Sequence, residues 1–146
     1  MLPKVVDVTA ITGKHIVGPM SSWQIPNGPY LIEHLSGKDP NGDLLVFYWM
    51  PGQDWKVVNV TQKTGQKVTD SVISWVINNV EHLAGQGPNN SLFVFSWAPS
   101  TNWRVVNVSK INGEKVDGVP TAYQLSDGKE NVELLGEKSL DEPIKF

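Results

Sequence analysis

Two stretches of the chain are apolar at nearly every position: Leu44-Leu45-Val46-Phe47-Tyr48-Trp49 and Leu92-Phe93-Val94-Phe95-Ser96-Trp97. A strand with one wet face alternates apolar and polar residues, so runs without alternation predict strands packed on both faces. Shorter β-branched or aromatic runs flank them, bounded by turn residues. Asp39-Pro40-Asn41-Gly42 and Gly87-Pro88-Asn89-Asn90 precede the long runs, Pro51-Gly52-Gln53-Asp54 and Pro99-Ser100-Thr101-Asn102 follow them, and Thr64-Gly65 and Asn112-Gly113 come next. The strands predicted around the second run are 80–85, 92–97, 103–109 and 115–121, with 67–76 the equivalent of the last. The segment 70–80 comes nearest to a helical period, but its β-branched content and its alignment with 18–23 predict a strand. The fold class expected is all-β.

The punctuation is periodic. Glu33-His34-Leu35 returns 48 residues later as Glu81-His82-Leu83, and from Glu33 to Val60 against Glu81 to Val108 the two copies agree at 16 of 28 positions. A third copy emerges from other landmarks. Val5-Val6-Asp7-Val8 aligns with Val57-Val58-Asn59-Val60 and Val105-Val106-Asn107-Val108, and Gly13, Gly65 and Gly113 follow in step. Ten residues after each glycine stands an aromatic: Trp23, Trp75 and Tyr123. The chain thus reads as one domain, 1–146, of three four-stranded units at approximately 1–54, 55–102 and 103–146, about twelve strands in all. It opens on the third and fourth strands of a unit and closes on a first strand, 132–136, and a shortened second, 144–146. The two ends could complete one unit, within the chain or across a subunit boundary.

Repeats of 40–50 residues with four strands, apolar on both faces, are the signature of β-propeller blades, which sandwich one another. Gly42-Asp43-Leu44-Leu45-Val46-Phe47-Tyr48-Trp49 followed by Trp55, and Ser91-Leu92-Phe93-Val94-Phe95-Ser96-Trp97 followed by Trp103, resemble the blades of small bacterial and invertebrate β-propeller lectins. Such a resemblance implies a carbohydrate-binding protein without catalytic activity. Three blades fall short of the usual four to eight. A homo-oligomer, most simply a dimer of six blades, would supply the rest. The alternative is a threefold monomer, a β-trefoil or β-prism.

Composition narrows the chemistry. Hydrophobic residues make up 40% of the chain and charged residues 18%, which excludes disorder and coiled coil. A net charge of -3, with no basic stripe, argues against nucleic acid as a partner. The absence of cysteine rules out disulfides, thiolate metal sites and a cysteine nucleophile. Neither a signal peptide nor a membrane span is visible, so a cytoplasmic or non-classically secreted protein is expected. The sequons at Asn59, Asn89 and Asn107 then read as accidental, and Asn59 and Asn107, with Asp7, as local hydrogen-bonding groups.

The candidate site rests on six tryptophans in repeat-equivalent pairs. Indole faces stack on the C–H faces of sugars while neighbouring polar groups bind hydroxyls. Trp55 after Gln53-Asp54, and Trp103 after Thr101-Asn102, are the expected ligand-binding residues, whereas Trp49 and Trp97 continue apolar strands and are expected to pack. The rival reading is a protein-interaction or structural repeat module, part of a larger array, in which every tryptophan packs the units. No catalytic residue, metal ligand or cofactor is expected. Glu33-His34 and Glu81-His82 are strand neighbours pointing to opposite faces and cannot form one dyad. Asp39-Pro40-Asn41-Gly42-Asp43 starts like a calcium loop, but position twelve is Met50.

Overall fold

The structure is a computed structural model; it describes residues 4–126, 131–136 and 144–145, with side chains to residue 120. Three antiparallel meanders follow one another along the chain. The first sheet holds β1 (Val17–Asn27), β2 (Tyr30–Lys38), β3 (Leu44–Trp49) and β4 (Lys56–Asn59), and the second holds β5 (Ile73–Ile77), β6 (Val80–Gln86), β7 (Leu92–Ala98) and β8 (Asn102–Asn107). Among the described residues the third has three strands, β9 (Thr121–Ser126), β10 (Asn131–Gly136) and β11 (Ile144–Lys145), in the order β11-β10-β9. The all-β expectation is met by these eleven strands, and within 70–80 the chain forms strand at β5 (Ile73–Ile77), not helix, with 70–72 outside it.

Three single-turn helices interrupt this pattern: α1 (Val8–Thr12), α2 (Val60–Thr64) and α3 (Val108–Asn112). Each has the same ends. The side chains of Asp7, Asn59 and Asn107 accept hydrogen bonds from the amides of Ala10, Gln62 and Lys110, the N-cap role for which short Asx side chains are suited. Gly13, Gly65 and Gly113 close the helices at φ between 73° and 81°, where a side chain would be strained. The turns read at Thr64-Gly65 and Asn112-Gly113 are therefore helix C-termini, and the strand expected at 103–109 stops at Asn107.

The sheets also begin one strand later than the expected units. The segments 67–76 and 115–121 were expected to be fourth strands, but the strands they contain or border, β5 and β9, open the next sheet. Turn length is the reason. Asn78 and Asn79, both at positive φ, make the two-residue hairpin that joins β5 to β6, whereas residues 65–72 separate the end of α2 from β5. Unit boundaries near 54 and 102 consequently fall inside sheets. The opening segment behaves likewise: residues 4–7 have no regular structure, and β1 is a first strand rather than a fourth.

The first two sheets pack face to face. Leu44, Val46 and Val60 from one side meet Val68, Val72, Leu83, Phe93 and Phe95 from the other, with Trp23 at the edge. Burying each of the larger of these side chains contributes about 1.5–3 kcal/mol. A second cluster, Ala84, Leu92, Val94, Val108 and Val116, begins on the far face of the second sheet. Leu92, Val94, Val108 and Val116 hold the repeat positions of Leu44, Val46, Val60 and Val68, so the same interface starts again. This is why β3 and β7 are apolar on both faces. First strands lie side by side, β1 against β5 and β5 against β9. The Ser74 hydroxyl links β5 to β1, contacting the Ser21 hydroxyl and donating to the Ser22 carbonyl at 3.2 Å. Among the described residues no helix is long and apolar enough to cross a membrane.

Candidate functional site

Register decides what meets across the first interface. In the first sheet Trp23, His34, Tyr48 and Lys56 stand opposite one another on successive strands, and Ile25 pairs with Ile32. These residues share one face. In the second sheet Glu81 pairs with Trp97, and Trp97 with Trp103, on the face turned toward it. Between the two faces opens a cleft of about 400 Å³, within the range of small-molecule sites. Trp97 and Trp103 line it together with Tyr48, His34 and Glu81, while Asn102 and Lys63 are its exposed polar members.

At its inner end a buried polar cluster joins the sheets. The Glu81 carboxylate, 3% exposed, accepts a hydrogen bond from Trp23 Nε1 at 2.5 Å and meets His34 Nε2 at 2.9 Å, both on Oε1. His34 is stacked on Trp23, ring centres 5.1 Å apart, and its other face lies toward Tyr48. Its Nδ1 lies 3.1 Å from the Ile32 carbonyl, which can only accept, so Nδ1 donates there. The expectation that Glu33 and His34 cannot form a dyad is correct within a unit; His34 instead takes the glutamate of the following repeat. Trp75 and His82 stack in the same way on the next face, 5.1 Å apart.

The expected ligand residues are divided by the fold. Trp103 and Asn102 line the cleft, with Asn102 held at φ 58° and its side chain accepting from the Trp103 amide at 2.9 Å. Thr101 sits in the turn before them, its amide donating to the Ala98 carbonyl, and does not line the cleft. Trp55 belongs to a different hollow, on the opposite face of the first sheet, where Ser22, Gln24, Glu33 and Leu35 also contribute. It leans on Trp49 with ring centres 6.5 Å apart. Gln53 and Asp54 are exposed in the β3–β4 loop and line neither hollow. Trp97, expected only to pack, is part of the cleft wall. His34, Glu81, Tyr48 and Lys63 were not anticipated there, because the cleft is built from two repeats and spacing within one repeat cannot reveal it.

The calcium-like turn is occupied by its own bonds. Asp39 accepts the amides of Asn41 and Asp43, and Asp43 accepts from the Asn59 side chain at 2.9 Å and pairs with Lys67 at 2.9 Å. The Asn59 hydrogen bond, followed by that from Lys67, holds the Asp43 carboxyl below its ordinary value. Among the described residues no group of three His, Asp or Glu side chains could hold a metal ion. Comparison with protein-family models, curated proteins and solved structures finds no match to this chain.

Proposed function

We propose that the protein is a non-enzymatic carbohydrate-binding protein, a lectin whose sites lie in the clefts between successive sheets. The observation that carries this reading is the composition of the first cleft: Trp97 and Trp103, with Asn102 and Glu81 beside them on the second sheet, face Tyr48, His34 and Lys63. Aromatic faces with directional polar groups close beside them suit a pyranose, which has an apolar face and a polar rim. His34 and Glu81 are engaged with Trp23, Tyr48 and each other, which favours a fixed wall over a proton-transferring pair. The expected residues Trp103 and Asn102 stay in the site; Trp55, Gln53, Asp54 and Thr101 give way to His34, Glu81, Tyr48 and Trp97.

The sheets are read as propeller blades, and the protein as a homo-oligomer. Meander order, face-to-face stacking and adjacent first strands support blades over a trefoil or prism. Because the interface begins again beyond the second sheet, the site is multivalent, and weak single contacts add to useful avidity. A glycan array followed by titration of intrinsic tryptophan fluorescence tests the reading. A bound sugar should shift the emission, and Trp103→Ala should weaken binding at least tenfold with the thermal transition retained. No glycan binding, or loss of folding without separate loss of binding, would favour the interaction-module reading.

A further inference from the structure

One face of the first sheet, the same face that the second sheet buries, is covered only in part: Leu45 and Phe47 on it are buried and Ile16 and Met20 lie against Gly37, but the region around Glu33 and Trp55 is open. Glu33 is exposed where Glu81 is 3% exposed, and Met20 is 55% exposed where its repeat equivalent, Val72, is 5% exposed. The hollow lined by Glu33, Leu35 and Trp55 corresponds residue for residue to the Glu81, Leu83 and Trp103 wall of the interface with the first sheet. It is half of an inter-sheet cleft, lacking the opposite wall.

The segment leading into the first sheet identifies what brings that wall. Residues 57–60 form the end of β4 and enter α2, and residues 105–108 do the same for β8 and α3. Val5-Val6-Asp7-Val8 has their sequence and enters α1 through the same cap, with Asp7 in the place of Asn59 and Asn107. Thr9 stands where Thr61 and Ser109 stand, and the hydroxyls of those two accept the amides of Leu44 and Leu92, the first residues of β3 and β7. Yet Val5 is 90% exposed and Val6 45%, and neither is in a strand. They form the sequence of a fourth strand without a sheet.

The third sheet has the complementary deficit. Tyr123 pairs with Leu134 as Trp23 pairs with His34, and Leu135 pairs with Ile144 as Leu35 pairs with Phe47. Thus β9, β10 and β11 are first, second and third strands, and the edge of β11 is the position that β4 and β8 fill in the other sheets. An open edge is a template for an added strand.

We propose that residues 4–7 add as the fourth strand to β11 of a second copy of this chain, which seats that copy's third sheet on the open part of this face of the first. Phe47 pairs with Val57, so the predicted register places Val5 opposite Ile144 and Lys4 opposite Lys145. The occupant is a second copy because this chain carries both complements, a fourth-strand sequence outside any sheet and a third sheet whose described strands leave the fourth position open, and two reciprocal contacts about a twofold axis satisfy both. Each contact joins two half-clefts into one. The inference rests on the blade reading of the sheets and not on the sugar site.

The chain has no cysteine, which makes the register directly testable. Residues opposite one another on antiparallel strands have Cα atoms about 4.5–5.5 Å apart, within disulfide range. In the Val5→Cys/Ile144→Cys double variant, oxidation should give a species of twice the 16.1 kDa chain mass on a non-reducing denaturing gel, and neither single variant should. Light scattering on the unsubstituted chain should give the same doubled mass. A monomeric mass, a disulfide closed within one chain, or a native dimer that the cysteine pair fails to trap would each overturn the proposal. Sugar titration of the same samples separates the two readings: a trapped dimer that binds no glycan leaves the assembly standing and removes the site, and a glycan-binding monomer does the reverse.

Discussion

Glu81 ties the two sheets together through one oxygen, which answers both a buried indole N–H and a buried imidazole. Removing an acceptor from such a cluster leaves its donors without partners, a loss that exceeds the net worth of the bonds themselves. Glu81→Ala is expected to lower unfolding free energy by about 3 kcal/mol in urea titration. Glu33→Ala, at the exposed equivalent, should stay within about 0.5 kcal/mol when measured on monomer. Asp43 gives a pH signature instead. Its carboxyl is held below the ordinary 3.8, first by Asn59 and then by Lys67, so its folded form resists protonation better than its unfolded form. The resulting stabilisation is complete above that ordinary value and drains away as pH falls through the acid range below it. Asp43→Asn should therefore be less stable than the parent near neutrality, and the gap between their urea midpoints should close on acidification.

Among the elements, the strands were legible and the helices were not. Leu44–Trp49 and Leu92–Ala98 announced two-sided burial through their lack of alternation, and the hairpin asparagines and prolines marked their ends. Five residues such as Val-Thr-Gln-Lys-Thr contain too little period to signal a helix, and their β-branched content points the other way. The helices form because of their ends, an Asx cap and a left-handed glycine six residues apart, a pattern repeated at Asp7/Gly13, Asn59/Gly65 and Asn107/Gly113. Asn59→Ala should accordingly cost about 1 kcal/mol by thermal or chemical unfolding. Asn59 also donates to Asp43, so Asn59→Asp, which caps but cannot donate, should recover only part of the loss. The site was half legible for a related reason. Trp103 and Asn102 could be picked out as aromatic and polar neighbours on one turn, but their opposite wall comes from residues 25–63, and only stacked sheets bring it within reach.

In the whole molecule two ranges of contact coexist. Within each sheet the strands pair with their sequence neighbours, whereas the side-chain bonds that join the two sheet faces span about fifty residues: Ser21 to Ser74, Trp23 and His34 to Glu81. Closing a short hairpin costs little chain entropy, so the meanders can form early; the long-range contacts, which set the speed limit of folding, come later. A lone meander of this chain has a greasy surface on either side and gains little by forming until a neighbour arrives. On the ribosome this imposes a waiting period. The first sheet is fully synthesised by residue 59, but the wall that covers it ends at residue 107, so a nascent chain between those lengths displays Leu44, Val46 and Val60 to whatever is nearby. Chains ended after residue 64 or after residue 120, each leaving one such face without its neighbour, are expected to accumulate in the pellet on expression, and the full chain in the supernatant.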